Sequence, residues 1–219
     1  MIGQSTIFPK VRCGRPWGWC NLFRNPFGEL TPDERAELAV VDISEIVGVL
    51  NQPRIAIQFI GECGRGKTTR MLAIGKELPE AAYVYLEEDR PCGAIPTGYP
   101  LMIDEAQRLP RSVMRTIFSS GLTLVLATHR DLSRPLRSFG YRVKTYRLGR
   151  DGDANLIWEC LNRRIEASRL NAGPIPVLSR ADAAELVRQF GSDIRAMESY
   201  LYDQVQKQVY SDGEMRFID

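Results

Sequence analysis

The sequence has little of what marks a membrane, secreted or metal-scaffold protein. No run of eighteen apolar residues occurs among its 219 residues, so neither a spanning helix nor a membrane partner is expected. The opening MIGQSTIFPKVRCGRPWGWC lacks the basic region, apolar core and small-residue cleavage site of a secretory leader. The cytoplasm is the expected compartment. Histidine occurs once, at His129, and cysteine five times, an odd number that does not suggest a disulfide framework. Cys13 and Cys20 lack a second pair of ligands for zinc. Net charge is only +2, but it is unevenly spread. From Arg108 to Arg150 ten basic residues meet one acid, Asp131, whereas from Asp151 onward twelve acids outnumber eight bases. Arginine supplies 24 of the 29 basic residues, and its planar fork suits phosphate better than lysine does. The basic segment reads either as a solvated face or as a contact for nucleic acid or a neighbour's nucleotide.

What is present is enough apolar residue, 44%, for a packed core. Residues 1–30 are rich in Gly, Pro and aromatics and read as an irregular arm that packs Trp17, Trp19, Phe23 and Phe27 against something apolar. LTPDERAELAVVDISEIVGVLNQ has helical periodicity, with Thr31 as N-cap, Pro32 at the first helical position and Glu34 three residues after the cap. Residues 31–150 then alternate: strand 55–60, helix 67–78, strands 82–88 and 99–105, helix 106–118, strand 123–129, a short helix near 131–138, and strand 141–149. Nearly continuous apolar strands in alternation with helices predict a parallel sheet covered on both faces. The link DRPCGAIPTGYP is short for a crossover and rich in Pro and Gly, so a loop or a single turn is expected there. Residues 151–219 read as three amphipathic helices interrupted by GPIP, a small helical lid.

The chemistry begins at IQFIGECGRGKTTRML. Gly61, Gly66, Lys67 and Thr68 satisfy G-x-x-x-x-G-K-[ST], with a strand before and a helix after. In such a loop the backbone N–H groups of Gly61, Glu62, Cys63, Gly64, Arg65 and Gly66 cradle phosphates, and the helix N-terminus adds partial positive charge. Lys67 would face the β and γ oxygens, Thr68 would ligate Mg²⁺, and Thr69 would lie near the α-phosphate. In PLMIDEAQRL two carboxylates end an apolar strand. Asp104 would organise the Mg²⁺ site with Thr68, and Glu105 would act as general base on a water aimed at the γ-phosphate. TLVLATH ends in Thr128 and then His129, the two candidates to hydrogen-bond that water or the phosphate, Thr128 ahead of His129. Arg134, Arg137 and Arg142 follow, and Arg137 is the choice for a guanidinium offered to a neighbouring subunit. Arg195, in GSDIRAMESYL, would touch phosphates in its own subunit if the lid folds over them.

Together these residues resemble P-loop ATPases of the AAA+ superfamily: GECGRGKT and LMIDEAQRL its two nucleotide motifs, LVLATH the sensing strand, and GSDIRAMESYL the second sensor. The DEAQ wording, with NPFG at 25–28, is similar to the branch of transposition regulators and secretion-associated ATPases. The resemblance implies strand order 5-1-4-3-2, ATP and Mg²⁺ as cofactors, nucleotide-dependent homo-oligomers, and duplex DNA or a protein as partner. The abbreviated link between the second and third strands departs from that pattern. Three functions remain open: an ATPase that switches its contacts, a slow or inactive nucleotide-dependent scaffold, and a small-molecule kinase.

Overall fold

The computed structural model describes residues 16–149, 152–209 and 214–218. Cys13 and the expected boundary at Arg150 and Asp151 lie outside the described residues. Among those described are strands β1 (Ile55–Ile60), β2 (Ala82–Tyr85), β3 (Leu101–Asp104), β4 (Leu124–Thr128) and β5 (Arg142–Arg147). The helices are α1 (Pro32–Glu37), α2 (Ser44–Val49), α3 (Lys67–Glu77), α4 (Arg111–Ser120), α5 (Ser133–Ser138), α6 (Ala154–Glu166), α7 (Arg180–Phe190) and α8 (Ile194–Lys207). None is long and apolar enough to cross a membrane.

The strands pair in parallel in the order β2-β3-β4-β1-β5, the expected 5-1-4-3-2 read from the other edge. Each inner strand sends alternate residues to opposite faces. Ala56, Ile103 and Leu126 meet Phe118 of α4 and Leu136 of α5. Ile57, Phe59, Met102 and Val125 meet Ile46 of α2, Leu50 just after it, and Met71 and Ile74 of α3. Both faces are dry, so every residue of β1, β3 and β4 is buried. The link from β2 to β3, residues 86–100, contains no helix.

Two elements depart from the sequence expectation. The 31–52 segment is two helices rather than one continuous periodicity. The capping box at Thr31 forms as expected, but Leu38 closes α1 by bonding back to Glu34 and Ala36. Val40, Val41 and Ile43 are β-branched and weak helix formers, and Asp42 accepts from the Ser44 N–H at 3.0 Å to begin α2. The expected helix 106–118 starts instead as a 3-10 turn, Ala106–Arg108, and becomes α-helical only after Pro110, because a residue preceding proline is driven out of helical backbone.

The described part of the arm, residues 16–30, joins the helical part. Leu22 and Phe27 are buried with Leu161, Leu186, Met197 and Leu201 of α6, α7 and α8, and Trp17 packs against them. Leu22 forms an antiparallel bridge with Arg169. Phe23, expected inside, is 42% exposed and lies under the Arg24 guanidinium at 5.2 Å. Its neighbour Leu22 takes the inward position, and two adjacent side chains cannot share it.

Candidate functional site

The strand ends nearest the loop after β1 are level: Ile60 lies opposite Thr128 and Arg147, and Tyr85 opposite Asp104. At this edge the chain leaves β1, turns through residues 61–66 and enters α3 at Lys67. Gly64 and Gly66 both have φ of 75°, a backbone region that glycine enters without steric cost. A Cβ on Gly64 would lie 2.0 Å from Asp193 Oδ1, so a larger residue there would displace the carboxylate that caps α8. Lys67 is only 6% exposed, and its ammonium donates to the Gly61 and Glu62 carbonyls at 2.7 and 2.9 Å. Those two carbonyl oxygens stand where a bound anion's oxygens would compete for the same protons.

Strand parity decides where the carboxylates go. Asp104 shares a face with Met102, the face that packs on α3. It is fully buried, and its Oδ2 accepts from the Thr68 hydroxyl at 2.6 Å and the Tyr83 hydroxyl at 3.1 Å. Its Oδ1 accepts from the Glu105 N–H at 3.0 Å. Burial first, and then the Asp104 carboxylate, pushes the Tyr83 phenol upward, so it stays a donor. Glu105 sits in left-handed backbone, φ 59°, which turns the chain sharply out of β3. Such a position is costly for a residue with a Cβ and recurs at functional sites.

The Glu105 carboxylate is gripped. Its Oε2 accepts from the Gln107 amide at 2.6 Å and lies 3.4 Å from His129 Nε2 and 3.6 Å from an Arg108 nitrogen. The other end of the Gln107 amide accepts from the His129 N–H at 3.2 Å. His129 Nδ1 is 3.8 Å from Glu62. Thr128, ahead of His129 in the sequence expectation, points to the opposite face of the sheet, the parity of Leu124 and Leu126. Its hydroxyl is spent on Arg130, accepting from that N–H and donating to that carbonyl, both at 3.0 Å. Of the two, His129 is the one brought to Glu105.

A cavity of about 320 Å³ adjoins Lys67, Thr68 and Glu105, within the range of small-molecule sites. The loop from Cys63 to Thr69 forms its floor, with Glu105, Arg108, Glu88 and Tyr85 at one end. Leu30, Leu38, Ala39 and Val40 line it too, so the non-helical segment between α1 and α2 forms part of the wall. Cys160 adds a neutral wall, its thiol pushed up to about 11, mostly by burial. The helical part closes over the loop. Arg65 donates to Ser192 Oγ at 2.5 Å, and that hydroxyl donates to the Gly149 carbonyl at 2.9 Å. Asp193 caps α8 by accepting from the Ala196 N–H, and Arg195, in the first turn of α8, lines the cavity from the same chain. Arg137 is not brought here. It is exposed near the end of α5, and two residues later Phe139 bonds Arg54 beside the start of β1, at the far edge of the sheet.

Sequence reasoning missed Gln107, Tyr83 and Arg164. Gln107 was visible as the residue two after Glu105. Tyr83 needed the strand register. Arg164 is buried at 6% exposure and carries no sequence signal beyond its place on an amphipathic helix.

Among the described residues no group of three or more His, Cys, Asp or Glu could hold a metal unaided. The donors present, one hydroxyl hydrogen-bonded to one buried carboxylate, fit Mg²⁺, which takes one or two protein oxygens and the rest from phosphate and water.

The chain matches no family model and no curated protein. Among solved structures it is similar to RuvB of Thermotoga maritima, a Holliday junction branch migration motor, at 19% identity and a TM-score of 0.53, over 87% of this chain. It is similar to Cdc6p from Pyrobaculum aerophilum at 14% identity and a TM-score of 0.53, over 88% of this chain and 67% of the other. This chain spans 66% of the length of that RuvB chain. At such identities the likeness establishes architecture alone: a parallel five-stranded sheet of P-loop NTPase topology, flanked by helices and followed by a helical unit.

Proposed function

We propose that this chain is a Mg-ATP-dependent ATPase of AAA+ type whose nucleotide state switches its contacts. The observation that carries this is the convergence of Lys67, Thr68, Asp104 and Glu105 at one sheet edge, around a cavity that Arg195 also lines. Lys67 exchanges its two carbonyl partners for β and γ oxygens, and the N–H groups of residues 61–66 with Thr69 hold the remaining phosphate oxygens. Thr68 and Asp104 hold the Mg²⁺, which when bound neutralises charge on the β and γ oxygens. Glu105 takes the proton of the attacking water, and His129 steadies that water or the carboxylate. Arg195 meets the γ-phosphate from the lid. Arg137 has no reach to its own site and serves a neighbouring copy. In this division residues 1–30 are an arm, 31–150 the nucleotide domain and 151–219 the lid, acting in the cytoplasm.

Duplex DNA is the proposed partner, in keeping with the branch migration motor among its structural neighbours and with the sequence likeness to transposition regulators of the DEAQ branch. α4 and α5 share one face of the sheet. Arg111 and Arg115 of α4, Arg134 and Arg137 of α5, and Arg130 in the loop before α5 are exposed and make no ion pair among the described residues. Phosphate contacts of that kind weaken steeply with salt.

A second reading has its own observation. Glu105 is held by Gln107, with His129 and Arg108 close by, which favours slow turnover in the isolated subunit and a scaffold-like resting state. The test is solution mass and phosphate release with ADP or a non-hydrolysable ATP analogue, with and without duplex DNA at two salt concentrations. Larger assemblies with the analogue and faster release on DNA support the ATPase switch. Assembly without turnover under every condition supports the scaffold, and neither binding nor assembly removes both.

A further inference from the structure

Asp104 is the buried carboxylate on which the cation site depends, and β3 alone does not fix its orientation. Glu105, directly after it, leaves the strand in left-handed backbone, so the chain that follows braces it only through the Glu105 N–H on Oδ1. The brace on Oδ2 comes from the sheet edge. In the parallel register of β2 and β3, Tyr83 pairs with Met102 and Tyr85 with Asp104, which places all four side chains on the α3 face. Tyr85, level with Asp104, is 52% exposed and lines the cavity. Tyr83, two residues back, packs partly buried against the apolar cluster under α3, and its hydroxyl ends 3.1 Å from Asp104 Oδ2. The same oxygen receives the Thr68 hydroxyl at 2.6 Å. Two hydroxyls from different elements thus converge on one carboxylate oxygen, while the Glu105 N–H holds the other.

We propose that Tyr83 is a positioning residue for the cation site: its hydroxyl, donated to Asp104 Oδ2, fixes the rotamer in which Asp104 faces Thr68 and the divalent cation that enters with the nucleotide. The proposal rests on the ATPase reading of the site. It follows from geometry that Thr68 cannot do this alone. A hydroxyl that turns its lone pairs to a cation keeps one proton for Asp104, so Oδ2 would rest on Thr68 alone while the Glu105 N–H holds only Oδ1. A second donor to Oδ2, from the edge strand beside β3, fixes that oxygen as well. Partners of this outer kind commonly change metal affinity by about 10–100-fold when lost.

The test uses the full chain, a fluorescent ADP analogue and a MgCl₂ titration. Tyr83→Phe removes one oxygen and keeps the ring that packs under α3. Analogue affinity in EDTA should match the parent, while the Mg²⁺ concentration for half-maximal enhancement of binding should rise about tenfold. A merely structural role would shift both together. The same substitution in an Asp104→Asn background should raise the Mg²⁺ requirement no further, because Tyr83 acts through that carboxylate. An unchanged Mg²⁺ requirement in Tyr83→Phe, or an equal additional loss in the Asp104→Asn background, overturns the role of Tyr83 and leaves the ATPase reading standing. A parent chain whose analogue binding ignores Mg²⁺ overturns both. If Tyr83→Phe unfolds, as circular dichroism would report, Tyr83→Trp keeps an aromatic body with a donor aimed elsewhere. Parent-like Mg²⁺ dependence in that variant also overturns the proposal.

Discussion

Two buried cations line the same cavity from opposite parts of the molecule, Lys67 from the sheet and Arg164 from the helical unit, each 6% exposed. They are partnered differently. Arg164 is committed on all sides: Nε donates to the Pro26 carbonyl at 2.9 Å, a second nitrogen donates to the Gly28 carbonyl, and the third meets Glu198 at 2.5 Å. The fork clamps the NPFG turn to α8, and Asn25 reinforces it by donating to the Tyr202 carbonyl. Lys67 is held only by two carbonyls of its own loop, partners that a small movement releases. Under the proposed ATPase reading, the contrast separates a buried charge that builds from one that waits for a ligand. The helical unit spends its charge on tying the arm down, whereas the sheet half concentrates Lys67, Asp104 and Glu105 at one edge.

Substitutions on the two sides should therefore fail in different ways. Glu105→Gln should lower steady-state phosphate release by about 10²–10⁴-fold, the usual worth of a positioned base, with ATP affinity and melting temperature near those of the parent. Parent-level release would place the base elsewhere. Arg164→Ala should do the reverse. It strands Glu198 and two carbonyls in a buried place, and breaking such a pair costs about 3–5 kcal/mol, read from urea denaturation. A variant of parent stability with weakened nucleotide binding would erase the distinction between the two cations.

The smallest effect belongs to the network behind β1. Gln58, fully buried, donates to Ser133 at 2.6 Å, Thr145 at 2.7 Å and Asp131 at 3.1 Å. Hydrogen bonds from Ser133, with help from Gln58 and Arg147, hold the Asp131 carboxyl down at about 2. A depressed carboxylate stabilises the fold above its unfolded value, about 3.9, and loses that contribution as pH falls through about 2. Asp131 is substantially exposed, so the gain is under about 1 kcal/mol. Asp131→Asn should be slightly less stable than the parent at pH 7, and the difference should vanish by about pH 2. A difference that persists in acid would mean that packing, not charge, is responsible.

What the sequence reveals of this comparison follows how local each feature is. The phosphate-loop spacing is contiguous, so its placement between strand and helix was legible, as was the strand order through the resemblance. The Thr31 cap was legible for the same reason. The turning of Asp104 toward α3 and of Thr128 away from it depends on parity within a register of strands that are distant in sequence, so the sequence alone favours Thr128 over His129. Tyr83 reaches Asp104 across 21 positions, and Arg164 reaches Pro26 across 138. No periodicity reports such contacts. The break after Leu38 was hidden because the apolar spacing continues through Val40 and Val41 while the backbone stops being helical.

The central claim is that Lys67 is a buried charge held in reserve for phosphate. Isothermal calorimetry of ATP binding with Mg²⁺, on the parent and on Lys67→Ala, tests it most directly. The account predicts saturable binding to the parent and at least a hundredfold loss in Lys67→Ala, about 3 kcal/mol, with the thermal transition of the unliganded variant close to the parent's. Equal affinity in the two proteins would contradict it, because the ammonium would then belong to the fold as Arg164 does.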